Sequence, residues 1–136
     1  MGRVLGIDYG EKRLGFAVSD EMEVVATPLA VHTRKKQGDD VTAVIRICRE
    51  RNIERVVIGH PLNMDGSSGP AVDKVDEFAA RLREQSDIEV EFWDERMSTM
   101  SAERVLIEGD MSRERRKKVI DKLAAQIILQ NYLDAV

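Results

Sequence analysis

The chain has 136 residues, 43% of them apolar and 34% charged, with a net charge of −4. That length predicts one domain, residues 1–136, large enough to bury a core, and the composition excludes a disordered or membrane-embedded chain. The excess of acids excludes a protein that coats nucleic acid indiscriminately, but not one with a local basic patch.

No apolar run approaches the roughly 20 residues that cross a bilayer. Strand pattern begins at once, with no signal-peptide leader before it, so a cytoplasmic protein without membrane contact is expected. The single cysteine, Cys48, excludes an internal disulfide and is compatible with a reducing compartment.

Two apolar runs open the chain, Val4 to Ile7 and Leu14 to Val18, around the charged turn Gly10-Glu-Lys-Arg13. Short β-branched runs around a glycine-bearing turn predict a β-hairpin. Alternation puts Val4, Gly6 and Asp8 on one face and Leu5, Ile7 and Tyr9 on the other. Asp8 thus ends an apolar strand, where burial without a partner is costly. Gly6 and Gly10 leave room for close approach to the backbone. Two readings stand: a turn that happens to contain Asp, or a carboxylate aimed at a ligand.

A third strand fits Glu23 to Val31, with Pro28 marking an edge position or the strand's end. After a polar loop, Val41, Val44, Ile45 and Cys48 predict a helix over about Asp39 to Arg51, capped by Asp39 or Asp40. Cys48 lies on that stripe and reads as core. Arg55 to Gly59 is a short apolar run of the kind buried on both faces. A turn-rich loop, His60 to Gly69, follows it. Pro70 opens a helix whose buried stripe is Val72, Val75, Phe78, Ala79 and Leu82. Glu89 to Trp93 is the fifth strand, with Val90 and Phe92 alternating against Glu89 and Glu91. Ser98 or Thr99 caps a short helix to about Glu108, stopped by Gly109. The last helix runs from about Ser112 towards Leu133, with Ile120, Leu123, Ala124, Ile127 and Leu129 apolar. Three antiparallel strands followed by helix-separated strands predict a mixed α/β sheet with helices packed on it.

Ligands in such sheets sit beyond the carboxyl ends of the strands. Asp8, the 60–69 loop and the pair Asp94-Glu95 are delivered there. Asp121 joins them as a candidate, because its neighbours one and two turns along the last helix are Ala124, Ala125 and Ile128. Either it faces a close partner, or it is a surface aspartate paired with Lys117 or Lys118. Just before it, Ser112 to Lys118 holds five cations against one anion: a solvated helix face or a polyanion contact.

Six blocks, in order, resemble the YqgF/RuvX family: Gly6-Ile-Asp-Tyr-Gly10, Lys12-Arg-Leu-Gly15, Ser19-Asp20, Gly59-His-Pro-Leu-Asn-Met-Asp-Gly-Ser67, Asp94-Glu-Arg-Met-Ser-Thr99 and Ile120-Asp-Lys-Leu-Ala-Ala125. The resemblance covers nearly the whole chain and implies a ribonuclease H-like fold. Members are described as Holliday-junction resolvases or as nucleases that mature the 5′ end of 16S ribosomal RNA. Carried over residue by residue, it implies Asp8, Glu95 and Asp121 as catalytic, metal-binding carboxylates. Asp65 and Asp94 are the alternatives to Glu95, because many ribonuclease H-like nucleases take an acid from the fourth strand. His60 stands where the family pattern has Leu, and Met97-Ser98-Thr99 where it has Leu-Thr-Thr. The first is a local variation or a proton-transfer group. In the implied strand order Asp8 and Glu95 lie about 10 Å apart, two strand spacings, which suits arms around a cation rather than a hydrogen bond. Oxygen ligands imply Mg²⁺ or Mn²⁺, and the reaction is phosphodiester hydrolysis. Lys12, Arg13 and Arg96 are expected to hold flanking phosphates, and Arg115, Arg116, Lys117 and Lys118 to draw the polyanion in.

The expected partner is nucleic acid, structured RNA foremost and branched DNA as the alternative, bound by a monomer or weak homodimer. Two other classes compete. Asp-x-Gly in a hairpin also opens the phosphate motif of actin-like ATPases and sugar kinases, which use two such domains. A non-cleaving binding module is the other, against which the clustered acids argue.

Overall fold

The computed structural model describes residues 2–35, 39–61, 65–66, 69–95 and 113–136, without the side chains of 113, 114 and 116–118. Its elements are β1 (Arg3–Tyr9), β2 (Arg13–Ser19), β3 (Ala26–Thr33), α1 (Asp39–Arg51), β4 (Ile53–His60), α2 (Pro70–Gln85), β5 (Glu89–Asp94) and α3 (Arg113–Ala135). The strands form one sheet in the order β3-β2-β1-β4-β5. β1 pairs antiparallel with β2 and parallel with β4; β3 joins β2 antiparallel and β5 joins β4 parallel. The mixed sheet is the predicted one. The short helix predicted from Ser98 to Glu108 lies outside the described residues.

Strand alternation sorts the side chains onto two faces. Leu5, Ile7, Leu14, Phe16, Val56, Ile58 and Val90 meet Val41, Val44 and Cys48 of α1 and Val75, Phe78, Ala79 and Leu82 of α2 in one core. Each large side chain there contributes about 1.5–3 kcal/mol by leaving water. Burial raises the Cys48 thiol to about 12, as suits a core cysteine with no partner for its thiolate. Val4, Ala17 and Val57 point the other way, into a second core with Ala125, Ile128, Leu129, Tyr132 and Leu133 of α3.

Local chemistry sets the element ends. Asp39 and Asp40 lie in the first turn of α1, Arg49 and Arg51 in its last, each favourable to the helix dipole. Asn52 then takes φ 56°, a left-handed helix end. Pro70 opens α2, and the buried residues of that helix are the five predicted. The third strand begins three residues later than expected. Asp20 Oδ1 accepts from the Val24 and Val25 N–H groups at 2.8 and 3.1 Å, closing a turn over that stretch. β3 is an edge strand, and its Pro28 sits opposite Ala17 beside a register shift, where a missing N–H is tolerated. Among the described residues no helix is long and apolar enough to cross a membrane.

Candidate active site

Asp8 is the last β1 residue whose side chain projects towards α3; Tyr9, next along, faces α1 and α2 and packs there. Opposite Asp8 on β2 stands Gly15. On β4, Ile58 pairs with Ile7, so Gly59 comes beside Asp8. The carboxylate is therefore flanked by a glycine on each side. A methyl added at Gly15 would lie 2.1 Å from the Asp121 carbonyl oxygen. At Gly59 it would lie 3.0 Å from Glu95 Cγ and Cδ and 2.7 Å from Ile128 Cδ1. The two glycines that clear space around Asp8 are thus the ones over which Asp121 and Glu95 sit. Asp8, Glu95 and Asp121 are all half-buried, with Asp121 and Glu95 over the glycines on either side of Asp8 near the end of β1.

Gly6 takes the close backbone approach expected of it, and Gly10 closes the turn. At Gly6 an added methyl would meet Leu129 Cβ at 2.7 Å and the Ala125 carbonyl at 3.1 Å: what approaches that backbone is α3, not a ligand. Gly10 serves the hairpin turn, its N–H donating to the Arg13 carbonyl at 2.9 Å. Gly15 and Gly59 were not singled out from sequence. The available signal was a glycine inside a strand, which marks close approach of something to the backbone.

Alternation also separates the alternative acids. Phe92 and Val90 of β5 pack on the α1 and α2 side, which puts Asp94 on that side and Glu95, one residue past the strand, on the α3 side. Asp65 is exposed in the loop before α2. His60 faces α2: its ring stacks on Phe92 with centroids 4.5 Å apart, and Nε2 is 3.0 Å from Asp76 Oδ1. His60 is therefore on the opposite face from Glu95 and Asp121.

Asp121 is ion-paired with Arg13, while the side chains of Lys117 and Lys118, the partners considered for it, lie outside the described residues. Arg13 Nε donates to Asp121 Oδ2 at 2.5 Å, joining the start of β2 to α3. Both side chains are about a quarter exposed (25% and 20%), so the pair is partly screened and worth on the order of 1 kcal/mol or less. The buried face of α3 also differs from the predicted stripe. Ala124, Ala125, Ile128, Leu129, Tyr132 and Leu133 are buried, while Ile120, Leu123 and Ile127 are half-buried. Of the other expected phosphate contacts, Lys12 is exposed in the turn before β2 and Arg115 is exposed on α3. Arg96 and the side chains of Arg116, Lys117 and Lys118 lie outside the described residues.

The donors that border the site are carboxylate oxygens, while Cys48 and both histidines pack with α1 or α2 on the other side of the sheet. Such a set suits a hard divalent cation. Among the described residues no three His, Cys, Asp or Glu side chains close on a common point that would hold an ion. In this conformation the Arg13 guanidinium supplies the positive charge beside Asp121.

A family model described as RuvX, Holliday junction resolvase, matches residues 2–135. The chain belongs to the RuvX family. Relatives named "Putative pre-16S rRNA nuclease" agree: one from Caldanaerobacter subterraneus subsp. tengcongensis is 53% identical over 98% of this chain and 96% of its own length. Others, from Syntrophomonas wolfei and Clostridioides difficile, are 49% and 47% identical, each covering 94% of the relative. Among solved structures, the fold is similar to that of Thermus thermophilus RuvC in complex with a Holliday junction substrate, with TM-score 0.61 and 14% identity over 99% of this chain and 95% of the other. A fowlpox virus resolvase with its junction DNA gives TM-score 0.60 and 14% identity, over 98% and 97%. The ribonuclease H-like fold of these resolvases is the fold of this RuvX chain, and the family match over residues 2–135 sets aside the kinase-like reading of its Asp-x-Gly hairpin.

Proposed function

We propose that this RuvX protein is a metal-dependent nuclease whose single domain hydrolyses phosphodiester bonds, with precursor 16S ribosomal RNA as its substrate. The observation that carries the reading is the setting of Asp8: an acid ending a central strand, flanked by Gly15 and Gly59, with Asp121 and Glu95 over those two glycines. A binder of polyanions gains nothing from gathering carboxylates at its ligand site. The names of the relatives favour the RNA substrate.

Asp8, Glu95 and Asp121 would hold Mg²⁺ or Mn²⁺, which would supply charge stabilisation at the scissile phosphate and a nucleophilic water at neutral pH. The residues of the chain do the rest. Asp8 is carried by the sheet and Asp121 by α3, and taking up the ion would exchange the Arg13 guanidinium at Asp121 for the metal. Lys12, in the turn two residues after Gly10, would hold a flanking phosphate, as would Arg13 once released from Asp121. The run from Arg115 to Lys118 would draw the strand in. The protein would act in the cytoplasm as a monomer or weak homodimer.

The test is cleavage of a 5′-extended precursor 16S fragment and of a synthetic four-way junction, each with Mg²⁺ and with EDTA. Metal-dependent cutting of the RNA is expected. Cutting of the junction alone would move the substrate to branched DNA, the reading the family description favours. Tight binding of either with no cutting would leave a binding module.

A further inference from the structure

A cleft of about 440 Å³ opens beside the same edge of the sheet, on the face turned away from the carboxylates. Its floor is Tyr9, the residue after Asp8, whose ring packs on Phe78 of α2 with centroids 4.9 Å apart. Over that ring, 4.6 Å from its centroid, stands the Arg34 guanidinium. Three hydrogen bonds fix it: Nε donates to Asp40 Oδ2 at 2.8 Å, and Nη1 to the Gly10 and Glu11 carbonyls at 3.0 and 3.1 Å. The Asp40 side chain is only 6% exposed, so a buried carboxylate anchors an arginine that lines a solvent-facing cleft. The remaining nitrogen, Nη2, has no hydrogen bond among the described residues. Lys35 and Lys74 line the same cleft and have no ion pair there either, whereas the lining Arg81 is tied to Glu77.

A fixed guanidinium with one nitrogen to spare, two ammonium groups without an ion pair among the described residues, and an aromatic wall suit a phosphate carrying a sugar or base. The volume is that of a small-molecule site. Tyr9 and Asp8 are consecutive and point to opposite faces, so an anion in the cleft and one at the carboxylates would lie about 10 Å apart, the thickness of one side-chain-bearing sheet. A single strand turning over that edge of the sheet would bridge the two positions within a few nucleotides.

We infer that this cleft is a phosphate subsite for the nucleic-acid strand, holding a nucleotide a few positions from the phosphodiester presented to Asp8. The inference rests on the reading of the chain as a nucleic-acid enzyme and adds a second contact on the other face of the sheet. Glu11, the lining carboxylate without an ion pair, sets a counter-charge at its rim.

The experiment measures binding of the labelled precursor 16S fragment by anisotropy, without divalent ion, across a salt series. The protein pair is Lys35→Gln/Lys74→Gln against Arg46→Gln/Arg49→Gln, which removes the same charge from α1 outside the cleft. The cleft variant should bind about 5- to 10-fold more weakly, with a log–log salt slope smaller by about 2, and the α1 variant much as wild type. Glu11→Gln should tighten binding. Equal losses in both double variants would reduce the effect to net charge and overturn the subsite. Adenosine monophosphate that binds in a lysine-dependent way, while strand affinity stays unchanged, would assign the cleft to free nucleotide and overturn it as a strand contact. Cleavage by the wild type is read separately. Cleft-dependent binding without cutting would defeat the nuclease reading alone, and cutting with cleft-independent binding would defeat the subsite alone.

Discussion

The two faces of this sheet are built from the same strands to opposite specifications. Towards α1 and α2 the strands offer Leu5, Ile7, Phe16, Val56 and Ile58, all fully buried. Those helices are held off the sheet by carbon. Towards α3 Val4 and Val57 are joined by Gly6, Gly15, Ala17 and Gly59, and the α3 backbone comes down almost onto the strands at Asp121 and Ala125. Close approach is what lets a helix deliver a polar side chain to a strand. The standoff face makes stability, and the close face carries Asp8, with Asp121 and Glu95 over the glycines beside it. Neighbouring residues on β1 should therefore fail in different ways.

The largest effect is expected at Asp8. Asp8→Asn keeps shape and removes charge, so cleavage should fall by at least about 100-fold, since losing even a ligand's supporting partner costs 10- to 100-fold. The melting temperature should hold. Ile7→Val, one residue earlier and on the other face, should do the reverse: a cost of about 0.5–1.5 kcal/mol with cleavage retained. Melting curves and cleavage rates of the two proteins check this. A cleavage rate for Asp8→Asn within tenfold of wild type, on the order of the smallest such losses, removes Asp8 from the site.

Gly15→Ala comes next, and it probes the close approach itself. The new methyl would lie 2.1 Å from a backbone oxygen of α3, which no rotamer change relieves. Overpacking of this kind costs about 1–3 kcal/mol or more, and the shift of α3 should carry Asp121 away from Asp8 and lower cleavage as well. Stability and activity unchanged together would mean that α3 does not rest on Gly15.

Arg13→Ala sharpens the electrostatic side of the comparison. The guanidinium and a divalent ion compete for the Asp121 carboxylate, so the variant should melt slightly lower without metal, by on the order of 0.5 kcal/mol for a partly exposed pair. Its melting temperature should then rise more than that of wild type on adding Mg²⁺, because a ligand that binds only the native state stabilises it. An equal rise in both proteins would show that Arg13 and the ion do not share Asp121.

The standoff face was the legible one. The α2 stripe from Val72 to Leu82 alternates cleanly with charge, so periodicity alone names its buried residues. The strand alternation that put Asp8 opposite Leu5 and Ile7 is legible for the same reason. On the close face the signal is weaker in kind. α3 is apolar on several sides in its second half, and the residues buried, from Ala124 and Ala125 to Ile128, Leu129, Tyr132 and Leu133, are those that face the glycine-bearing strands. That choice depends on which glycines the sheet register sets beneath the helix. Gly15 gains its meaning only from pairing with Asp8, and the Arg13–Asp121 pair joins residues too distant in sequence for any local pattern to show.

The smallest effect is expected at His60, which sequence left open as a proton-transfer group. Its ring lies against Phe92 and its Nε2 meets Asp76 on α2, while the acids border the space under α3. A histidine there packs against Phe92 and Asp76, on the face turned away from the acids. Asp76 is half-exposed, with 52% of its side chain open to solvent, so the interaction is screened and its loss costs little. His60→Leu keeps an apolar group on Phe92, so stability should change by no more than about 0.5 kcal/mol, the range of ordinary surface substitutions. Cleavage should stay within about threefold across pH 6–8, with no change in the shape of the profile, because no group that titrates near neutrality has left the site. A loss beyond about tenfold, or the disappearance of a limb near the usual histidine pKa, would bring His60 to the active face. The two faces would then be less separate than the packing makes them.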